Sequence, residues 1–338
     1  MSGVELREVD LADDVALRAW WEVGAAVTAH DRPYDAWPSW DVGSASMRAV
    51  RSDLARSRLL AVVDGEVVGH GLVVWWRLEN RHLAEIEVRV RPGHRRRGVG
   101  RALLAELERR AAAEGRTTYV GTTHAPVDGE SPGSLFAAAH GYPVASAEES
   151  KLLDLAVAPD RWPPLAVDVA AHLDGYRVAA FEDRVPPEWV DDFCGLLSRF
   201  MSMVPSGDLD LEDAAWTPER LHEHEERMAA SARAWLVAVG VAPDGRLAGF
   251  HELGVGRADP RLATVGGTLV LPEHRGHRLG LGMKLATHRR LQELFPACPV
   301  VVTTNAGVNA PMNAVNEALG YRVVERCLDV QRRSATAS

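Results

Sequence analysis

The sequence contains few cysteines and almost no lysine. Cys194, Cys298 and Cys327 are widely spaced and form no Cys-x-x-Cys pair, which argues against a disulfide framework or a zinc site. Only Lys151 and Lys284 are lysines among the 38 basic residues, and the rest are arginine. This preference for arginine is typical of a GC-rich bacterial genome. From the cysteine spacing we expect no metal site.

Long apolar runs are also missing. No stretch approaches the roughly 18 apolar residues of a membrane-spanning helix, and the first residues lack the apolar run of a signal peptide. We therefore expect a cytoplasmic protein without a membrane partner. The formal charge of −9 argues against an extended nucleic-acid surface, so we expect no nucleic acid either. A length of 338 residues, 46% of them hydrophobic, suits two domains.

Three short segments recur in the same order about 180 residues apart. The pairs are 64–69 with 244–249, 92–95 with 272–275, and 141–142 with 320–321. We interpret them as a duplication of one whole domain. The first domain is predicted at 1–157 and the second at 176–338. Between them, residues 158–175 form a predicted linker, where prolines interrupt regular structure.

Each half predicts helices, then antiparallel strands, then a strand–loop–helix–strand crossover. The Asp-Gly pairs at 64–65 and 244–245 are typical hairpin turns. Ile86, Val88 and Val90 alternate with charged residues, which indicates a strand with one buried face. The fold class is therefore predicted to be α+β. Two tandem domains each contain a mixed, mostly antiparallel twisted sheet flanked by helices.

The segment Arg95–Gly100 lies between a predicted strand and a predicted helix. The first N–H groups of a helix have no internal partner, and the helix dipole adds positive charge there. Gly98 and Gly100 let the backbone close around an anion, and the arginines supply charge-assisted hydrogen bonds. The segment therefore favours a pyrophosphate ligand.

On these residues the sequence resembles the GNAT superfamily of N-acetyltransferases, in its tandem, actinobacterial type. The family motif Gln/Arg-x-x-Gly-x-Gly/Ala is matched by Arg95, Gly98 and Gly100. The resemblance covers nearly all of both halves. It implies an acetyl-CoA-dependent enzyme that transfers an acyl group to a small-molecule or peptide amine by direct attack on the thioester. The coenzyme-binding residues that it implies in the first half are Val88, Val90, Arg95, Arg96, Arg97, Gly98, Val99, Gly100 and Arg101.

The second loop departs from the motif. Aligned without a gap, Arg278 replaces the first glycine, whereas a shift of two residues restores both glycines but places His277 first. We prefer the ungapped alignment because the offset of about 180 holds on both sides. The expected coenzyme-binding residues here are Val270, Arg275, Gly276, His277, Arg278, Leu279 and Gly280.

The second half also resembles the family in its last helix. In GNAT proteins an asparagine there helps to hold the pantetheine arm, and a tyrosine seven residues later often protonates the leaving thiolate. Asn309 fits the asparagine position, with Asn305 and Asn313 nearby. All three are expected coenzyme-binding residues, and Asn309 is also a catalytic candidate. The tyrosine position is Asn316, which cannot act as a general acid. The first half lacks both residues.

Direct attack by an amine requires a base, because a protonated amine is not a nucleophile. Glu252, on a hairpin strand of the second half, is the predicted catalytic base. The alternative is a solvated strand carboxylate. Glu85 and Glu87 in the first half are also open as bases, with pairing to nearby arginines as the alternative. Asn309 could instead only cap its helix.

Two other classes of function stay open. A non-catalytic acyl-CoA-binding sensor or scaffold is favoured by the missing tyrosine and by the split of the better motifs between the halves. A nucleotide site of a kinase or dehydrogenase is disfavoured, because the sequence contains no Gly-x-x-x-x-Gly-Lys-Ser/Thr motif.

Overall fold

The chain divides into two compact units, each described separately below. The structure is a computed structural model that describes residues 3–49 and 51–334. Unit 1 contains the residues up to Ala147, the short segment Gly207–Glu212 and the residues from Cys327 onwards. Unit 2 contains Glu148–Ser206 and Asp213–Arg326.

In each half the described residues form helices, then antiparallel strands, then a strand–loop–helix–strand crossover, as the sequence predicts. The strands are β1 (Glu5–Glu8), β2 (Leu54–Val63), β3 (Glu66–Trp76), β4 (Leu83–Val90), β5 (Thr118–Ala125), β6 (Val144–Asp154), β7 (Arg177–Glu182), β8 (Arg233–Val241), β9 (Leu247–Gly256), β10 (Ala263–Val270), β11 (Val300–Ala306) and β12 (Arg322–Arg333). The helices are α1 (Asp14–Asp31), α2 (Trp40–Arg48), α3 (Val99–Ala113), α4 (Pro132–Ala139), α5 (Trp162–His172), α6 (Val190–Met203), α7 (Pro218–Ala230), α8 (Leu279–Leu294) and α9 (Ala310–Leu319). Of these elements, β1, α2, β6 and β12 were not predicted.

Unit 1 is built on a sheet with the strand order β1-β2-β3-β4-β5-β12. The first four strands pair antiparallel, and β4 pairs parallel with β5. One face packs on α3, with Leu59, Leu103 and Leu107 fully or almost fully buried. The other face packs on α1, where Leu17 and Trp20 are buried. The mixed, mostly antiparallel sheet confirms the predicted α+β class.

Unit 2 repeats this plan with the order β6-β11-β10-β9-β8-β7. Antiparallel pairs again join the hairpin strands, β10 pairs parallel with β11, and β11 pairs antiparallel with β6. Leu236 and Leu285 are buried on the α8 face. Phe193, Trp235 and Phe250 are buried on the α6 face. The two halves therefore share one fold, as the repeat predicts.

The packing differs from the predicted domain boundaries at the last strand of each sheet. The residues of β12 from Cys327 onwards belong to unit 1, where the Thr122 hydroxyl donates to Asp329 at 2.7 Å and Val330 is buried in the core. In unit 2, residues 148–154 of β6 pair with β11. Helix α5 of the expected linker buries Trp162 and Val169 in the unit 2 core. Strand pairing joins residues that are distant in sequence, so a local change in composition does not reveal to which domain a strand belongs.

Within residues 3–49 and 51–334, no helix combines the length and the apolarity that crossing a membrane requires.

Removing the residues from Cys327 onwards should expose the edge of β5, because β12 is its neighbour on that side. We expect amide hydrogen exchange in Thr118–Ala125 to become faster by about tenfold or more, since an unpaired edge loses its protection. Exchange in Leu247–Gly256 of unit 2 serves as the internal control. Hydrogen exchange measured by mass spectrometry tests this, and unchanged protection in β5 would contradict the assignment of β12 to unit 1.

Candidate active site

The loop between β4 and α3 places two residues in the left-handed region. Arg96 has φ of +63° and Gly98 has φ of +85°, and Gly98 is the N-cap of α3. A Cβ added to Gly98 would meet no atom within 4 Å, so open space lies above the loop. The unpaired N–H groups of the first turn of α3 point out of this end of the helix. The loop therefore has the geometry that an anion requires.

The loop between β10 and α8 uses the same two left-handed positions with the glycine exchanged. Gly276 has φ of +96° and Arg278 has φ of +53°, and Arg278 is the N-cap of α8. These positions correspond to Arg96 and Gly98 at the repeat offset. The backbone therefore supports the ungapped alignment. Each loop therefore has one glycine and one arginine at its two left-handed positions.

The loop side chains divide into those that hold the loop and those that face solvent. Arg95 donates to the Val90 carbonyl at 3.0 Å and forms an ion pair with Asp31 at 2.6 Å. Arg275 donates likewise to the Val270 carbonyl at 3.3 Å. These two arginines therefore fix their loops. The side chains exposed to solvent in the first loop are Arg96, Arg97 and Arg101.

The other residues of the two loops have packing or pairing partners. His277 lies 3.2 Å from Asp174 and Arg278 lies 3.0 Å from Asp168. Val99 and Leu279, each 2% exposed, anchor the first turns of their helices. The positions Val88, Val90, Val270, Gly100 and Gly280 are all half-buried.

A bulge in β10 opens the sheet of unit 2. The parallel pairing of β10 with β11 includes only Ala263 with Val301 and Thr264 with Val302. Immediately beyond it, the register against β9 shifts, and Gly266 is the extra residue. An extra residue in a bulge leaves the hydrogen-bond ladder locally unpaired. The strand thus offers backbone groups at the point where β10 and β11 part.

Glu252 lies directly against this bulge. A Cβ on Gly266 would stand 2.7 Å from Glu252 Oε1, and Glu252 pairs with Gly267 across the strands. The indole N–H of Trp235 donates to Glu252 Oε2 at 2.8 Å. Burial raises the pKa of Glu252 to about 7, although the Trp235 hydrogen bond opposes the shift. The predicted base is therefore positioned at an open strand with a pKa near neutrality.

Unit 1 lacks this arrangement. Strand β4 pairs with β3 without a register shift, and Leu72 occupies the position of Glu252. Glu87 is bound by His70 at 3.1 Å and by Arg89 at 2.7 Å. Burial alone would raise the pKa of Glu87, but Arg89 and His70 outweigh it and lower the pKa to about 2. A carboxylate with so low a pKa is a poor base. Glu87 instead pairs with a nearby arginine, which was the alternative interpretation of the sequence.

Three asparagines of unit 2 form a buried network with both lysines of the chain. The Asn305 side-chain oxygen accepts from Lys151 Nζ at 3.0 Å and from Asn316 Nδ2 at 2.9 Å. Asn313 accepts from Lys151 at 2.5 Å, and Asn316 accepts from Lys284 at 2.9 Å. The sequence indicated the asparagines, but nothing in it placed the lysines beside them.

Asn309 lies outside this network and caps α9. Its side-chain oxygen accepts from the Met312 N–H at 3.4 Å, as the alternative interpretation of the sequence expected. Within the described residues its Nδ2 group makes no hydrogen bond, so Asn309 keeps two donors for a ligand.

A second buried polar group lies beneath α8. His288 Nε2 contacts the Tyr321 hydroxyl at 2.6 Å, and Lys284 Nζ lies 5.4 Å from the centre of the Tyr321 ring. His251 stacks on His288 at 5.8 Å. Burial lowers the pKa of Lys284 to about 7, and the charge of Lys151 adds to this effect. This cluster was not predicted, because its side chains meet only when β9, α8 and the residue that precedes β12 pack together.

Comparison with known proteins agrees with this geometry. The acetyltransferase (GNAT) family profile matches residues 16–131. A mycothiol acetyltransferase from Kocuria rhizophila is 28% identical over 80% of this chain and 83% of its own length. A solved tandem GNAT protein from the clavulanic acid biosynthesis pathway is 28% identical, with a TM-score of 0.83 over 99% of this chain and 100% of that one.

A more distant structure shares the fold. The GCN5-related N-acetyltransferase from Sphaerobacter thermophilus is 17% identical, with a TM-score of 0.65 over 98% of this chain and 95% of that one. The tandem architecture therefore recurs in proteins with little sequence in common.

Gly98→Ala and Gly276→Ala should each lower the free energy of unfolding by about 1–2 kcal/mol, because a Cβ is disfavoured in the left-handed region. Steric clashes do not contribute, since an added Cβ meets no atom within 4 Å at either position. Gly93→Ala, equally open but without a positive φ, is the control and should change stability by less than about 0.5 kcal/mol. Urea denaturation measures all three. Equal effects in the three variants would contradict the backbone assignment.

Proposed function

Because this chain is a tandem member of the GNAT family of N-acetyltransferases, we propose that unit 2 transfers the acetyl group of acetyl-CoA to an amine, with Glu252 as the general base. The observation that carries this proposal is the contact of Glu252 with the Gly266 bulge, at the point where β10 leaves β11. Acetyl-CoA is the co-substrate that the family uses.

The base must remove a proton from an ammonium before the amine can attack. A carboxylate with a pKa of about 7 is half ionised at neutral pH and binds a proton more strongly than an ordinary glutamate. The amine nitrogen then forms a bond to the thioester carbonyl carbon, and the carbon–sulfur bond breaks with its electron pair leaving on the coenzyme thiolate. The nitrogen releases its extra proton as the amide forms, which balances the proton that the thiolate takes up. An N–H group freed by the bulge can donate to the carbonyl oxygen as negative charge develops on it.

The loops of both units suit the pyrophosphate of the coenzyme. In unit 1 the exposed side chains of Arg96, Arg97 and Arg101 supply charge-assisted hydrogen bonds beside the α3 N-terminus. In the Gly276–Gly280 loop of unit 2, by contrast, Arg278 is paired with Asp168. The Nδ2 group of Asn309 is the proposed contact for the pantetheine arm.

Asn316 cannot supply the proton that the leaving thiolate takes up. Asn316 occupies the position of the family tyrosine, is 1% exposed, and is engaged with Lys284 and Asn305. An amide cannot donate a proton as an acid.

Aromatic rings pack beside the proposed acceptor site, of which Phe200 is half-buried and Phe250 fully buried. The rings of Phe200 and Phe250 lie 3.2 Å and 3.1 Å from the place where a Cβ on Gly267 would stand. Trp235 orients the base from β8. Such surroundings favour an amine whose neighbouring atoms are apolar.

Unit 1 supports a different role. It has the loop for the coenzyme, but its β4 has no bulge, and Leu72 replaces the base. We propose that unit 1 binds the coenzyme without turning it over, which retains the sensor hypothesis for one half of the chain.

Glu252→Gln should lower kcat/KM for acetyl transfer by about 10²–10⁴-fold, the usual contribution of a general base. In the parent protein the rate should rise with pH through about 7, because the protonated carboxyl group below that pH cannot accept a proton. The variant should lose this rise. A thiol-release assay with acetyl-CoA and a panel of amines measures both effects. Glu226→Gln, on the exposed face of α7, is the control. An unchanged pH profile in Glu252→Gln would remove Glu252 from the mechanism.

Calorimetric titration of the intact protein with acetyl-CoA should give two equivalents. Gly98→Asp should remove one of them and Gly276→Asp the other, because a carboxylate in the loop repels the pyrophosphate and aspartate tolerates the left-handed backbone. Gly93→Asp, outside the left-handed positions, should retain both equivalents. A protein that binds no acetyl-CoA would contradict the proposed function.

A further inference from the structure

A cavity of about 370 Å³ lies in unit 1, on the face of the sheet opposite α3. Helices α1 and α2 cover it, and β2, β3 and β4 form its floor. Its walls are charged as well as apolar. The lining residues that carry the argument are Trp20, Arg51, Arg56, Arg58, Trp76 and Glu85.

Arg58 is a buried cation in this cavity. Its side chain is 7% exposed, its Nε atom has no hydrogen-bond partner, and in the described part of the chain it forms no ion pair. Burial, followed by the nearby charge of Arg56, lowers the pKa of Arg58 to about 10, so the guanidinium still carries its charge at neutral pH. Burying a charge without a counter-ion is costly. The site is therefore electrostatically incomplete.

The other charged groups of the cavity do not complete it. Arg51 is already bound by Asp53 through two hydrogen bonds of 2.8 Å and 2.5 Å. Among the described residues, the hydrogen bond of Arg56 is a long one to the Ser46 carbonyl at 3.5 Å. Glu85, on β4, lines the cavity and attracts Arg56, whereas the carboxylate that attracts Arg58 is Glu87. Glu87 is held by His70 and Arg89.

An aromatic wall stands beside the cation. The Trp20 indole donates to the Gly71 carbonyl at 3.3 Å and stacks on His70 with 3.9 Å between ring centres, so its orientation is fixed. The Arg58 guanidinium carbon lies 5.9 Å from the centre of the Trp20 ring. Trp76 lines the same cavity. A ligand here would meet positive charge and flat apolar surfaces together.

We propose that this cavity is a binding site for a small organic oxyanion, a carboxylate or phosphate attached to an apolar body. The oxyanion would accept from Arg58 and Arg56, and the apolar body would lie against Trp20 and Trp76. Planar guanidinium groups suit both anions. The site is separate from the residues proposed for acetyl transfer, so either proposal can fail without the other.

The duplicated fold does not require this charge. In β2, Arg58 pairs with Leu72, and the equivalent pair in unit 2 is Val237 with Glu252. Trp235 takes the position of Arg56. An uncharged residue is therefore compatible with the same backbone at the Arg58 position, which indicates that the arginine serves a ligand rather than the fold.

Calorimetric titration of the intact protein tests the proposal with four probes: 3-phenylpropionate, phenyl phosphate, inorganic phosphate and the uncharged 3-phenylpropionamide. We expect at least one of the two organic anions to bind, and the amide not to bind. Tighter binding of phenyl phosphate would assign a phosphate ligand, and tighter binding of 3-phenylpropionate a carboxylate ligand. Either result supports the site. Absence of binding by both organic anions overturns it.

The variants Arg58→Met and Arg56→Met identify where the anion binds. Arg58→Met should weaken binding by about tenfold or more while leaving the melting temperature unchanged or higher, because an uncompensated buried charge is removed. Arg56→Met, half-buried, provides the same test if the first variant does not fold. Arg109→Gln, an exposed arginine on α3, is the control and should bind as the parent does. Undiminished binding in the folded Met variants would overturn the proposal, since the anion would then bind elsewhere.

Discussion

The bulge at Gly266 is the constraint on which the candidate active site depends. A strand paired regularly on both sides has no backbone group to offer a ligand, whereas β10 leaves β11 after Thr264 and takes an extra residue against β9. The absence of side chains at Gly266 and Gly267 leaves room for Glu252 and for the ring of Phe200. The raised pKa of Glu252 follows from this crowded, partly dehydrated position.

The two units show how one fold supports two kinds of site. Their α3 and α8 faces bury similar apolar residues, because a crossover helix must cover the sheet in both. The opposite face is less constrained. There the first unit carries Arg58 against Leu72, and the second carries Val237 against Glu252. The same backbone therefore holds a cationic cavity in one unit and a carboxylate at a strand bulge in the other.

The scarcity of lysine acquires a physical meaning in the folded chain. Lys151 and Lys284, the only lysines, are 5% and 0% exposed and both donate to buried asparagines. An arginine guanidinium keeps its charge when buried, whereas a lysine can become neutral, as the pKa of about 7 for Lys284 indicates. Both lysines are thus held by buried asparagines, and Lys151 is in addition paired with Glu149 at 3.0 Å.

The sequence by itself determined the duplicated α+β plan, the hairpins at 64–65 and 244–245 and the two basic loops, because repeats, turns and periodicity are local signals. It also indicated Glu252 as a candidate base. It did not indicate the protonation state of Glu252, because the pKa of this carboxyl group depends on Trp235 and on the bulge, which come next to it only through strand pairing. Tertiary structure alone decided that β12 joins unit 1 from Cys327 onwards, and that Arg58 lies beneath α1 and α2. These features arise from contacts between distant residues, for which the local sequence carries no signal.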